Sequence, residues 1–197
     1  MEQVKSNKVA FPARTVATAA LVCALSVVLP QVFHLIGGKP LGNAFLPMHL
    51  PVILGGYLLN PAAALVCGAL SPILSFFVSG MPPFPRLIFM IFELGAYGFF
   101  TSVFVHKCRL PVWLNLPLTW ICGRMMYFVT AFFALRVLHL EIQGMTTASA
   151  AVWTAVTTGV PGIILQAAVV PILVAALKKA RLITYAPRFG AGEDSAG

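Results

Sequence analysis

The sequence predicts an all-α membrane protein: a six-transmembrane-helix bundle with both termini cytoplasmic. Three observations lead there. Of 197 residues, 59% are apolar and only 9% are charged, whereas a soluble domain carries roughly 25% charged residues. Too few charges remain to cover a water-facing surface. The apolar residues fall into runs at 15–36, 44–59, 62–79, 86–105, 112–138 and 149–177, against the about 20 residues that a helix needs to cross a bilayer. The basic residues divide unevenly between the two sides. Lys5, Lys8 and Arg14, then Lys107 and Arg109, then Lys178, Lys179, Arg181 and Arg188 crowd both ends and the 106–111 loop. The alternate loops carry only Lys39, Arg86 and Arg136. Cytoplasmic loops are the ones enriched in Lys and Arg, so both ends are expected inside.

The same distribution accounts for the net charge of +8. A nucleic-acid partner would require a basic stripe on a folded polar surface, and no segment supplies one. The expected layout is a cytoplasmic segment over 1–14, a single membrane domain over 15–180, and a disordered cytoplasmic tail over 181–197. The first run is too long for a signal-peptide core and has no convincing cleavage site after it, so it counts as a retained span. Cys23, Cys67, Cys108 and Cys122 lack metal-site spacing and read as small buried hydrophobes.

Each run has a face. In the first, Ala13, Ala17, Ala20 and Ala24 lie four, three and four residues apart, on one helical stripe. Small residues at such spacing let a second helix approach closely in lipid. The stripe either packs inside the bundle or receives a partner. GGKPLGN then breaks the chain before the short second run, and Asn60-Pro61 turns it into the third. There Gly68, Ser71, Ser75 and Ser79 share a face. Serines in a span can bond the preceding turn's carbonyl and relieve the break at Pro72, or they can touch a ligand.

The proline-rich hairpin SGMPPFPR leads into the fourth run, where Arg86, Met90, Glu93 and Tyr97 fall on one face. Glu93 sits about 10 Å along the helix from Arg86, at about 1.5 Å per residue. An ionised group at mid-bilayer costs about 3 kcal/mol on the insertion scale, so Glu93 must face a cavity, a partner charge, or both. After HKCRLP, the fifth run supplies that charge: Trp120, Arg124, Tyr127 and Ala131 form a stripe, with Arg124 near mid-helix. The pair either pins two helices or lines a ligand pocket. Aromatic groups on both sides favour the pocket. The sixth run carries Thr158, Gly159, Pro161, Gly162 and Gln166. Gln166 offers both a donor and an acceptor, to the same cavity or to a neighbouring helix.

No catalytic residue, metal site or cofactor motif emerges. His49 has no second His or Cys at ligand spacing and reads as a structural hydrogen-bonder. No nucleophile and base gather at one depth, and no nucleotide-binding loop is present.

The run LPMHLPVILGGYLLNPAAALVCGALSPILSFFVSGMPPFPRLIFMIFELGAYG resembles the substrate-binding S components of energy-coupling factor (ECF) transporters, the bacterial vitamin-uptake members of the ABC class. The likeness is strongest over 45–100, through PMHLPV, the short turn before LVCGALSP, and GMPP followed by FEL and YG. It implies a multi-pass protein of the bacterial cell membrane, with a pocket near the outer face capped by loops 37–44 and 80–86. Met81, Pro82 and Pro83 would form the lid. It also implies docking on a transmembrane T component through an alanine motif on the first helix, with two cytoplasmic ATPases completing the transporter. Ala20-Leu-Val-Cys-Ala24 fits the A-x-x-x-A pattern, with Ala17 continuing the stripe. The expected substrate is a small vitamin-like molecule, bound by Glu93, Arg124, Tyr97, Arg86, Tyr127, Trp120, Gln166 and Ser75. Glu93 with Arg124 would suit a zwitterionic or bifunctional one. The alternative, a solitary secondary transporter or channel, would need a paired repeat and several buried carboxylates. Glu93 is the one acidic residue inside a run.

Overall fold

The computed structural model describes residues 13–84, 86–136 and 148–183, with 37–44, 148, 151 and 152 described in backbone only. Among these, the chain forms six helices: α1 (Ala13–Phe45), α2 (His49–Leu58), α3 (Pro61–Ser79), α4 (Arg86–His106), α5 (Val112–Arg136) and α6 (Ala148–Lys179). Five contain apolar stretches long enough to cross a membrane. The LHLEIQGMTT stretch and the FGAGEDSAG tail lie outside the described residues.

Two expectations need correcting. GGKPLGN is not a loop between two spans, because the α1 backbone stays helical through it to Phe45. In water, paired glycines and a proline end helices; in a membrane bundle they are tolerated where neighbours satisfy the freed backbone groups. The second run is also not a sixth full crossing. α2 has 10 residues and extends about 15 Å, half of a hydrocarbon core about 30 Å thick.

The turns follow local chemistry. Asn60 caps α3 with its side-chain oxygen, which accepts from the Ala63 amide at 2.9 Å, while Pro61 occupies the first turn, where its missing N–H costs nothing. Gly80 closes α3 in the left-handed conformation, with φ of 68°, and its amide donates to the Phe76 carbonyl at 2.7 Å. Ser71 and Ser79 hydroxyls donate back to Cys67 and Ser75 carbonyls, both at 2.8 Å. That is the structural role open to serines beside Pro72.

α3 and α4 cross at backbone contact. A Cβ built on Gly68 would stand 2.3 Å from the Leu94 carbonyl oxygen, and one on Gly98 would stand 2.3 Å from that of Ala64. Only glycine fits either position. The crossing holds Glu93 and Tyr97 at a set rotation toward α2 and α5. Gly98→Ala should therefore cost about 1–3 kcal/mol by overpacking, seen as a lower melting temperature of the detergent-purified protein; an unchanged melt would contradict the close crossing.

Hydroxyl and amide groups tie the far end of α4 to its neighbours. Ser102 donates to the Leu59 carbonyl at 2.6 Å, Thr101 and Thr119 hydroxyls meet at 3.2 Å, and Thr119 donates to Asn115 at 2.9 Å. All four of these polar side chains are fully buried, and in a low-dielectric interior satisfied polar links rigidify the packing. Across α1 and α3, the buried thiols of Cys23 and Cys67 approach to 3.0 Å, in an apolar cluster with Val22, Ala63 and Ala64.

α2 divides the molecule. Leu50, Leu54 and Leu58 on one face line a cleft of about 530 Å³ shared with α1 and α6. His49 and Ile53 on the other face are buried, and Gly56 there abuts Thr101 of α4.

Candidate functional site

The polar centre lies where α2, α4, α5 and α6 meet. Glu93 of α4 and Arg124 of α5 form an ion pair, with Nη1 of Arg124 donating to Oε1 of Glu93 at 2.8 Å. The side chains are 3% and 14% exposed, so both charges are nearly removed from solvent. His49, at the start of α2, brings Nε2 to 3.9 Å from the same Glu93 oxygen, too far for a hydrogen bond. Its ring meets Tyr97 edge-on, with centroids 5.1 Å apart.

Glycines make room for this cluster. A Cβ on Gly123 would fall 2.6 Å from the Tyr97 ring, so Tyr97 of α4 lies directly on the α5 backbone. On α6, a Cβ on Gly159 would stand 3.3 Å from Nη2 of Arg124 and 2.9 Å from the Leu46 side chain. Leu46, between α1 and α2, adopts a positive φ of 47° and packs over this edge of the site. Farther along α6, Gln166 accepts a hydrogen bond from the Trp120 indole at 2.9 Å.

Several buried polar atoms have no hydrogen-bond partner among the described residues: Nε and Nη2 of Arg124, Nε2 of Gln166, and both ring nitrogens of His49. Buried polar groups are normally satisfied; four of these atoms belong to Arg124 and His49, both beside Glu93, and the fifth to Gln166 against Trp120, while Nε2 of Gln31 on α1 is open elsewhere in the bundle.

Glu93, Arg124 and Tyr97 stand together, and Trp120 and Gln166 are bonded to each other across α5 and α6. Tyr127 is buried a turn beyond Arg124 and packs edge-on against Phe89, with centroids 5.8 Å apart. Arg86 is half-buried at the start of α4, and Ser75 is buried on α3. Among the hairpin residues, Pro82 is buried, Met81 half-buried and Pro83 exposed. Ala13, Ala17, Ala20 and Ala24 are all exposed, so their stripe lies on the outside of the bundle. Sequence reasoning overlooked His49 as a neighbour of Glu93, named Gly159 on the sixth run without placing it beside Arg124, and overlooked Leu46 altogether. The one signal in the residues was a histidine set between prolines in a short apolar run.

The cleft is a separate feature. Apart from Thr18 its lining is apolar, from Leu21, Leu25, Leu54, Val169, Leu173 and others, and it does not include the ion pair.

Helices of membrane-crossing length around an enclosed, charged and under-bonded centre define a multi-pass membrane protein with a polar site inside its bundle. The family can be stated as well. The family model for the substrate-specific component of ECF transporters matches residues 14–174, from the first turn of α1 to within a turn or two of the end of α6, and the chain belongs to that family. No curated protein and no solved structure gives a match. The family is one of transporter subunits rather than enzymes.

Proposed function

We propose that this protein captures a small, vitamin-like molecule from outside the bacterial cell for ATP-driven uptake, together with a transmembrane T component and two cytoplasmic ATPases. The observation that carries this reading, beside family membership, is the Glu93–Arg124 pair ringed by unpartnered donors. A pair that merely pinned two helices would be weak support for stability, since desolvation offsets much of its attraction. A site that waits for a ligand has reason to keep donors unpaired.

In this reading the termini are cytoplasmic and the α3–α4 hairpin, with Met81, Pro82 and Pro83, covers the outer entrance. Tyr97, Trp120 and Tyr127 desolvate the substrate, and Arg124 with Gln166 orients it. Arg86 and Ser75 stand at the margins. The alanine stripe supports the docking role by its exposure. With no bulky side chain on it, Ala17, Ala20 and Ala24 allow a partner helix to reach the α1 backbone. ATP-driven movement of the partner module then turns the protein so that the site opens inward.

The test is co-purification of the tagged chain from its native membrane. A T component and two ATPases at fixed stoichiometry are expected. A chain that purifies alone and still catalyses uptake in vesicles would favour a solitary transporter instead.

A further inference from the structure

We infer that the substrate presents a carboxylate to this site, held on the Nε–Nη2 edge of Arg124 with Gln166 adding a donor. The inference rests on the reading of this centre as the substrate site and names the chemistry that it selects.

Counting donors and acceptors leads there. The Glu93 Oε1 acceptor is taken by Nη1 of Arg124 at 2.8 Å, and the Gln166 Oε1 acceptor is taken by Trp120 at 2.9 Å. What remains unsatisfied on these two side chains is donors only: Nε and Nη2 of Arg124 and Nε2 of Gln166. Gln166 is 1% exposed, so bulk solvent does not reach it. The complement of a set of donors is an acceptor.

The shape of the acceptor follows from the guanidinium. Nε–H and one Nη2–H point the same way along one edge of a rigid plane, which matches the two oxygens of a carboxylate. A single carbonyl would satisfy one of these donors and strand the other. The ion pair is neutral as a whole, so charge alone selects neither sign. The open atoms on Arg124 and Gln166 are donors, and an ammonium group, itself a donor only, cannot satisfy them. The inference narrows the sequence expectation of a zwitterionic or bifunctional ligand to the carboxylate that such a ligand would bring to Arg124. Glycine at 159 lets the α6 backbone lie close to Nη2, where a Cβ would stand 3.3 Å away and would also meet the Leu46 side chain.

The experiment uses the full chain purified in detergent and follows its melting temperature with matched probes at millimolar concentration: phenylacetate against phenethylamine, and butyrate against butylamine. At least one carboxylate should raise the melting temperature while its amine does not. Two variants separate recognition from folding. Arg124→Lys keeps the charge beside Glu93 but removes the planar fork. Gln166→Glu keeps an acceptor for Trp120 but replaces the donor with a negative oxygen. Arg124→Lys should melt near the wild type without probe, whereas Gln166→Glu should melt lower because it buries a carboxyl group. Compared with its own probe-free melt, each should weaken the carboxylate by on the order of tenfold or more, as expected when a charged hydrogen bond is lost. The inference is overturned if the amines stabilise instead, if no carboxylate does, or if the carboxylate shift survives in both variants. Co-purification with the T component and ATPases decides the transporter reading separately. Loss of carboxylate selectivity with assembly intact removes only this inference.

Discussion

Arg124→Met alone is expected to destabilise the protein by about 3–5 kcal/mol. The substitution approximates the volume of the side chain but strips the charge from a Glu93 that is 3% exposed. His49 at 3.9 Å is not close enough to replace the 2.8 Å bond. A buried ion whose partner is removed suffers the full desolvation cost, whereas removing both ions leaves none to desolvate. The double variant Glu93→Gln/Arg124→Met should therefore recover much of the loss, and a double-mutant cycle of thermal or denaturant unfolding in detergent should show strong coupling between the two positions. Additive losses would mean that the charges stabilise the fold independently.

Ala20→Trp should abolish uptake by cells while leaving substrate binding by the isolated chain intact. Ala20 is exposed on α1, between Ala17 and Ala24 on the same stripe, and an indole there stands off any helix that must approach closely. Ala20 is exposed, and no residue of the polar centre lies on its helix: His49, Glu93, Arg124, Trp120 and Gln166 lie on α2, α4, α5 and α6. The variant should also fail to retain the T component on purification. Normal uptake by Ala20→Trp would remove the docking role of the stripe.

Much of this was legible in the residues, for identifiable reasons. Apolar runs bounded by Asn-Pro, Pro-rich or basic segments placed α3, α4 and the start of α5 within a residue or two of where they form, because lipid requires continuous helix between polar ends. The Glu93–Arg124 pair was legible because a carboxylate amid apolar neighbours has few affordable environments, and one arginine on the next helix lay at matching depth. GGKPLGN misled because glycine and proline carry different weight in a bundle than in water. The length of α2 misled because an apolar run shows where water is excluded but not whether the chain crosses. Periodicity grouped the four alanines without saying which way they face; only the packing of Cys23 against Cys67 and Val22 against Gly55 turns the stripe outward. His49 and Gly159 joined the site through tertiary approach alone, and spacing along the chain carries no trace of that.

The most direct test of the central claim, that the polar centre holds the substrate, is mass spectrometry of small molecules released from the purified chain. The wild type should release one molecule in near-stoichiometric amount. The Glu93→Gln/Arg124→Met variant, folded but without its charges, should release little or none. An equal load from both would show that the ion pair serves the helices and not the cargo.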